Sequence, residues 1–225
     1  MKSSRRALTK SKAHSHGAPL GILGGIFDPV HNGHCAAACL ARDYFNIDKV
    51  YLIPSGIPPH KSCSVTASAR HRLAMLKRAV QGSTSLLVWD EEIRRPGISY
   101  TVDTIRQIKK RHPSTPLYFI IGSDNLVEIP TWHDYRQILS SVVLCVAHRP
   151  GHSLKVPREL GIKEILTFPS PEWSVSSTMI RHYLGLGYSC DYLLPLSVAR
   201  YIKRHGLYGK EETGMARHGH AARLC

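Results

Sequence analysis

Short apolar segments alternate with longer segments of mixed polarity along most of the chain. The apolar segments are nearly continuous, which is typical of strands that are buried on both faces of a sheet. Because helical patterns separate them, the strands are predicted to be parallel. Six strands are predicted, over residues 20–23, 49–53, 85–89, 117–121, 142–147 and 164–168.

Helices are predicted in the intervening segments. In the second of them Leu73, Leu76 and Val80 keep helical spacing, and we expect Arg70 and Arg72 to face away from that apolar stripe. The pattern predicts an α/β fold, a doubly wound Rossmann-like parallel sheet with helices on both faces, in a single domain. The predicted helices cover residues 33–45, 67–80, 102–111, 125–139, 178–184 and 196–205.

Two polar tails flank the predicted domain. The domain covers residues 18–209, and we expect the basic tail 1–17 and the tail 210–225 to be disordered. The chain carries a net charge of +14, of which the tails hold +5 and +1 and the domain +8. An excess of this size suits an enzyme with polyanionic substrates. A nucleic-acid-binding protein is the alternative, but it would need aromatic and basic residues interleaved on one face, a pattern that the helical segments lack.

Cysteine usage and hydropathy indicate a cytoplasmic protein. The six cysteines form no C-x-x-C pair, and Cys35, Cys39 and Cys145 lie in apolar segments, where thiols behave as small hydrophobic residues. No apolar run approaches the roughly 18 residues of a membrane span, and the N-terminus lacks the apolar core of a signal peptide. We therefore expect neither a membrane partner nor export.

A glycine-rich motif follows the first strand, where residues 24–34 read GGIFDPVHNGH. Glycines let the backbone approach an anion, and the first turn of the next helix offers unpaired N–H groups at a positive dipole end. His31 and His34 can donate hydrogen bonds to phosphate oxygens as negative charge develops. A zinc site would need a third ligand, for which Cys35 on an apolar helix face is a poor candidate. The motif predicts a phosphate site.

Polar motifs also follow later strands. Residues 54–61 come after the second strand, residues 122–124 after the fourth, and residues 175–181 after the last. Ligands bind beyond the carboxyl ends of the strands in a doubly wound sheet, so we expect these motifs to converge on one site. In the last motif a hydroxyl precedes a helix whose first turn carries Arg181, which is either an ordinary helix cap or a second phosphate cradle.

The motif at residues 24–34 resembles the signature of the nucleotidyltransferase superfamily that contains the adenylyltransferases and the class I aminoacyl-tRNA synthetases. Further segments occur in the order and spacing of the bacterial nicotinate-nucleotide adenylyltransferase family, at residues 98–104, 121–124, 130–133 and 175–181. The resemblance covers residues 20–208. It departs at Ile26, where the family usually has Thr, and this removes a hydroxyl that could contact the nucleotide.

The resemblance implies a reaction in which the phosphate of nicotinate mononucleotide attacks the α-phosphorus of ATP in line and magnesium pyrophosphate leaves. Such a transfer asks the protein mainly for positioning and charge stabilisation. Mg²⁺ is the implied cofactor, held mostly by substrate phosphates and water, because no carboxylate pair is dedicated to a metal. The rival is phosphopantetheine adenylyltransferase, which is usually shorter and is not expected to combine residues 131–133 with the segment 194–208.

The resemblance also implies the site residues. The catalytic roles fall on His31, His34 and Arg181. Backbone N–H groups near Tyr100 and Thr101 are implied to meet the nicotinate carboxylate. The residues implied to bind ATP are Gly24, Gly25, Ile26, Phe27, His31, His34, Gly122, Asp124, Ser176, Ser177, Thr178 and Arg181. Those implied to bind nicotinate mononucleotide are Lys61, Ser99, Tyr100, Thr101, Thr104 and Trp132.

Several of these residues also have a plainer interpretation. Lys61 is either a phosphate ligand or a solvated charge, and Trp132 either stacks on the pyridine ring or packs in the core. Asp124 either accepts hydrogen bonds from ribose hydroxyls or caps a helix. Asp28 is interpreted as a turn former without a catalytic role, and the acidic residues 90–92 are expected to form a solvated turn.

Overall fold

The computed structural model describes residues 17–59, 65–148, 154–162, 165–169 and 175–209 of the chain. Its centre is one sheet of six parallel strands in the order β3-β2-β1-β4-β5-β6. The predicted fold class and all six predicted strands are therefore confirmed. The strands are β1 Leu20–Gly25, β2 Lys49–Pro54, β3 Leu86–Val88, β4 Leu117–Gly122, β5 Val143–His148 and β6 Leu166–Pro169.

Eight α-helices connect and flank the strands in the described part of the chain, five of them close to a predicted segment. Helix α3 and a short 3₁₀ turn at Arg158–Leu160 were not predicted. The helices are α1 Asn32–Phe45, α2 Ala69–Ala79, α3 Glu91–Arg94, α4 Thr101–Arg111, α5 Ser123–Glu128, α6 Tyr135–Ser141, α7 Ser177–Gly185 and α8 Leu196–Arg204.

The prediction of one helix over residues 125–139 is wrong. The chain instead forms α5, a 3₁₀ turn at Ile129–Thr131, and α6. Pro130 has no N–H to donate and cannot sit in a helix interior without breaking it, but the start of a 3₁₀ turn accepts it. Asp134 then adopts a left-handed conformation with φ of 51° before α6 begins. This break turns the segment back and leaves Trp132 in an extended conformation between the two helices.

The sheet separates two apolar cores, so helices cover both of its faces. The buried side chains on one face come from α1, α2, α7 and α8, and they include Ala38, Met75, Ile180 and Val198. Those on the other face come from α4, α5 and α6, and they include Ile105, Leu126 and Ile138. Among the residues that the structure describes, no helix is both long and apolar enough to span a membrane.

A buried carboxylate ties three distant segments together. Asp28, in the turn after β1, is 2% exposed. Its side chain accepts hydrogen bonds from the N–H groups of Thr66 (2.6 Å) and Ala67 (3.0 Å) and from the Tyr208 hydroxyl (2.6 Å). Burial, together with the neighbouring carboxylate, raises the pKa of Tyr208, so its hydroxyl remains a donor. Asp28 is therefore more than a turn former, because it joins the turn to α2 and to the segment after α8.

We expect Tyr208→Phe to lower the free energy of unfolding by about 1.5 to 3 kcal/mol, the contribution of a hydrogen bond to a charged group. The change removes one of the three donors to a carboxylate that stays buried. Urea denaturation of the variant beside wild type measures the effect. The matched control is Tyr44→Phe, at an exposed tyrosine. Equal stability losses in the two variants would show that the Tyr208 hydroxyl contributes nothing specific.

Candidate active site

The carboxyl ends of the central strands open into two adjoining cavities. The larger, of about 740 Å³, lies over the turns after β1 and β2 and the N-termini of α4 and α7. The smaller, of about 320 Å³, lies over the ends of β1 and β4. Both are lined by Gly24, His34, Asn125 and Ser177, so they form one continuous site. The site occupies the position expected for ligands in a doubly wound sheet, where the strand order reverses.

Most of the sequence-predicted site residues meet in these cavities. Those that line the larger cavity are Gly24, Gly25, Ile26, Phe27, His34, Ser99, Tyr100, Thr101, Trp132, Ser177, Thr178 and Arg181. Those that line the smaller one are Gly24, His31, His34, Gly122, Asp124, Ser176 and Ser177. Thr104 lines neither cavity. Lys61 lies outside the described residues, so its assignment stays a prediction.

Two glycines leave open space at neighbouring strand ends. A Cβ atom built at Gly24 or at Gly122 would meet nothing within 4 Å. Gly25 differs, because its Cβ would stand 3.1 Å from the Phe27 ring, which packs against that backbone. The backbone at Gly24 and Gly122 is therefore accessible from the cavities, as an anion or ribose contact would require.

The two histidines of the glycine motif form a stacked pair. Their ring centroids are 3.6 Å apart, and the His31 N–H donates to Nδ1 of His34 over 3.2 Å. Because Nδ1 of His34 accepts a hydrogen bond, the ring hydrogen of the neutral imidazole lies on Nε2. His34 therefore offers a single fixed donor. Nδ1 of His31 is buried and has no hydrogen-bond partner within the described ranges, and its ring lines the smaller cavity.

Both imidazoles are neutral at physiological pH. Burial lowers the pKa of His31 to about 4. Burial, and secondarily the neighbouring His31, holds the pKa of His34 well below the usual histidine range. The pair can therefore donate hydrogen bonds to developing negative charge without carrying a positive charge of its own.

The N-terminus of α7 supplies the positive charge of the site. Ser176 caps the helix by accepting a hydrogen bond from the Met179 N–H over 3.1 Å, which confirms the predicted hydroxyl cap. Ser177 Oγ donates to the Pro29 carbonyl over 2.9 Å. The Arg181 guanidinium donates to the Asp28 carbonyl over 2.8 Å and faces the larger cavity. Helix α7 is thus fastened to the turn after β1, and the two elements predicted to bind phosphate share one wall of the larger cavity.

The N-terminus of α4 forms the opposite part of the larger cavity. Tyr100 precedes the first helical residue, Thr101, and both line the cavity. Trp132 is half-buried, with its ring 6.0 Å from that of Phe119 and with another part of its surface on the cavity. Trp132 therefore packs partly against the core, and its stacking on a pyridine ring stays a prediction. His133 packs on Tyr100 with ring centroids 4.5 Å apart.

Two expectations from the sequence are corrected here. The solvated turn expected at residues 90–92 is a short helix, and Glu92 in it is only 6% exposed, lines the larger cavity and has its pKa raised by burial. Thr104, expected to contact the mononucleotide, is buried and donates through Oγ1 to Glu92 over 2.6 Å. Thr104 therefore lies outside the cavity and holds Glu92 in the cavity wall through this hydrogen bond.

Arg72 also differs from expectation, because it faces the core and not the solvent. It shares its buried stripe with Met75 and Leu76, at the i, i+3 and i+4 spacing of one helix face. The apolar stripe through Leu73, Leu76 and Val80 gave no reason to bury Arg72, because charged residues beside such a stripe are normally solvated. The structure of α2 therefore places a guanidinium beneath the site.

No group of three or more histidine, cysteine, aspartate or glutamate side chains is arranged to hold a metal ion in the described segments. Asp28 accepts three hydrogen bonds from the protein, and Asp124 is exposed at the smaller cavity.

The depressed pKa of His31 predicts a pH dependence of stability. In the unfolded chain the histidine protonates near its ordinary pKa of 6.5, whereas the folded protein resists protonation down to about 4. The free energy of unfolding should therefore fall as the pH drops from 6.5 to 4, by about 1.4 kcal/mol per pH unit for this residue. We expect His31→Gln to make that slope shallower in urea denaturation at pH 7, 6 and 5. The exposed His182→Gln is the control, and an unchanged slope for His31→Gln would contradict the assignment.

Comparisons with known proteins identify the family. Residues 22–183 match the family model described as cytidylyltransferase-like. A protein of Halalkalibacterium halodurans named "probable nicotinate-nucleotide adenylyltransferase" is 42% identical over 195 residues, covering 86% of this chain and 93% of its own length. A protein of the same name from Desulfitobacterium hafniense is 43% identical over 196 residues, covering 84% of this chain and 95% of its own length.

The fold is also shared with a solved enzyme. The nicotinic acid mononucleotide adenylyltransferase of Plasmodium falciparum, complexed with NaAD, superimposes with a TM-score of 0.68 at 20% identity. The match covers 85% of this chain and 98% of that protein. The matches to the relatives at about 40% identity cover nearly the whole length of those relatives, and the shared fold supports the same family. This chain is a member of the nicotinate-nucleotide adenylyltransferase family.

Proposed function

We propose that this protein transfers the adenylyl group of ATP to nicotinate mononucleotide, giving nicotinate adenine dinucleotide and pyrophosphate. The observation that carries the proposal is that two helix N-termini, those of α4 and α7, open on one cavity together with the glycine turn and His34. Two anion-binding ends suit the joining of two phosphorylated substrates. The family membership supports the same activity.

The reaction is an exchange of one phosphoanhydride bond for another. An oxygen of the mononucleotide phosphate forms a bond to the α-phosphorus of ATP, and the bond from that phosphorus to the oxygen bridging to the β-phosphorus breaks. Pyrophosphate leaves with that bridging oxygen. Because the attacking oxygen is already an anion, the protein needs no general base, and its task is to align the substrates and stabilise charge.

The ATP phosphates are assigned to the shared wall of the two cavities. The Nε2–H of His34 donates to oxygens whose negative charge grows in the transition state, and Arg181 supplies the positive charge. The N–H groups at the start of α7, near Ser177 and Thr178, add dipolar stabilisation. Asp124 and the open backbone at Gly122 suit the ribose of the same nucleotide. Mg²⁺ is proposed to arrive with ATP as its phosphate complex.

The mononucleotide is assigned to the N-terminus of α4. Backbone N–H groups near Tyr100 and Thr101 would donate hydrogen bonds to the nicotinate carboxylate, and the exposed part of Trp132 would stack on the pyridine ring. Ser99 lies in the same wall. A cytoplasmic location belongs to this proposal and is supported by the free thiols of Cys35, Cys39, Cys145 and Cys190, which suit a reducing compartment.

A turnover assay with ATP and a panel of acceptors tests the function. The acceptors are nicotinate mononucleotide, nicotinamide mononucleotide and phosphopantetheine. We expect the acid mononucleotide to exceed the amide by about 10² in kcat/KM, because two charge-assisted hydrogen bonds to the carboxylate are lost with the amide. A ratio near one would overturn the carboxylate assignment. Preferential turnover of phosphopantetheine would overturn the proposed function and favour the rival activity.

Trp132→Ala should weaken the binding of both pyridine mononucleotides, because the stacking is lost. We expect a loss of roughly 0.5 to 1.5 kcal/mol in binding free energy beyond that due to the smaller contact area, with ATP binding nearly unchanged. Steady-state KM values for each substrate measure the split. The control is Trp89→Phe, at a buried tryptophan of the core that lines neither cavity. A Trp132 variant impaired mainly in ATP binding would place this side chain in the other half of the site.

His34→Ala should lower kcat by roughly 10² to 10³, the usual effect of losing one preorganised donor to transition-state charge. The KM for ATP should change less, because the donor acts mainly on charge that develops during the reaction. His182→Ala, at an exposed position of α7, is the control. If His34→Ala keeps more than half of the wild-type turnover with unchanged melting, the assigned role is wrong.

A further inference from the structure

Arg72 is a buried cation without a buried carboxylate partner in direct contact. It is 1% exposed, and it is among the largest fully buried side chains of the described chain. Within the described ranges no acidic group lies within ion-pair distance of its guanidinium, and Asp28 and Glu92 attract it only from beyond that distance. Burying a charge in this way is costly, and an apolar side chain would fill the same space at lower cost. The residue therefore needs an explanation other than packing.

The guanidinium binds the backbone of two turns that line the larger cavity. One terminal nitrogen donates to the Ile26 carbonyl over 2.7 Å, and the other donates to the Gly56 carbonyl over 3.0 Å. Ile26 belongs to the turn after β1, and Gly56 to the turn after β2. The planar fork of an arginine fixes the directions of both carbonyls at once. In a trans peptide the next N–H points opposite to the carbonyl, so this clamp also fixes the N–H groups of Phe27 and Ile57.

Each of these two turns is also hydrogen-bonded to the part of the site that is assigned to one substrate. Gly56 donates through its N–H to Ser99 Oγ over 3.1 Å, and the Ser99 N–H donates to the Ile57 carbonyl over 2.9 Å. These bonds attach the start of α4 to the turn after β2. On the other side, the turn after β1 carries Asp28, whose carbonyl accepts the hydrogen bond from Arg181.

Close packing makes this link stiff. A Cβ at Gly56 would lie 2.2 Å from the Glu92 carbonyl oxygen, so the turn after β2 rests directly on the backbone of α3. Glu92 itself is held by Thr104 of α4. A displacement of the turn would therefore move the start of α4 with it, and Arg72 is the group that joins this unit to the glycine turn.

We propose that Arg72 is a positioning residue. It fixes the mononucleotide wall, which is the start of α4 with the turn after β2, relative to the ATP wall, which is the turn after β1 with the start of α7. The inference rests on the proposed function, because it concerns the alignment of the two substrates named there. In-line transfer needs the attacking oxygen and the α-phosphorus at a set distance and angle, and a misplacement of about 1 Å can cost roughly 10² in rate. Each wall can still bind its own substrate when the clamp is lost.

The test compares Arg72→Met and Arg72→Lys with wild type. Methionine removes the charge and the fork, whereas lysine keeps the charge but cannot donate in the bidentate geometry. For both variants we expect kcat to fall by about 10², as misalignment predicts. The separate dissociation constants of nicotinate mononucleotide and of a non-reacting α,β-methylene ATP, measured by calorimetry, should each change by less than about threefold. Arg70→Met, at an exposed arginine of the same helix, should behave like wild type.

The outcomes separate this inference from the proposed function. Wild type that fails to turn over nicotinate mononucleotide contradicts the function itself. If wild type is active and Arg72→Lys keeps full kcat, the charge and not the clamp matters, and the proposal is wrong. Parallel loss of both substrate affinities, or failure of both variants to fold, also overturns it, because Arg72 would then serve general stability.

Discussion

The architecture of the site depends on how one buried carboxylate obtains its hydrogen bonds. Asp28 sits at the end of the central strand, away from water, and such a group is stable only when its lone pairs are satisfied. Its donors come from the start of α2 and from the segment after α8, and its own carbonyl receives Arg181 of α7. The buried anion therefore brings the start of α2 and the segment after α8 to the glycine turn, and the Asp28 carbonyl brings Arg181 of α7 to the same turn.

A second consequence of burial concerns the charge of the site. Burial lowers the pKa of both stacked histidines, so neither ring takes up a second proton at physiological pH. Each remains a neutral imidazole with one N–H to donate. Positive charge at the larger cavity comes instead from Arg181 and from the helix dipoles at the starts of α4 and α7. In the proposed function, the fixed positive charge would attract the polyanionic substrate and the neutral histidines would supply directional hydrogen bonds.

The sequence predicted the strands, the sheet type and the convergence of the motifs, because continuous apolar runs and glycine turns are local signals. Pro130 is a local signal for the break between α5 and α6, but the helical pattern on both sides of it favours one continuous helix. The buried polar residues were not predictable in this way. Glu92 depends on Thr104 of the next helix, and Arg72 depends on carbonyls from two turns. Nothing adjacent in sequence distinguishes these charges from the solvated ones around them, since tertiary partners decide their burial.

The hydrogen bond between Asp28 and Tyr208 joins residues that are 180 positions apart. Chains are synthesised from the N-terminus, and a contact of this separation forms only after nearly all of the domain has been made. The glycine motif leaves the ribosome early, but a nascent chain shorter than 208 residues lacks one of the three donors that its buried aspartate requires. Completion of the glycine turn is thereby linked to translation of the segment that follows α8, so one of the first elements of the sheet domain gains its full set of hydrogen bonds only after α8 has been made.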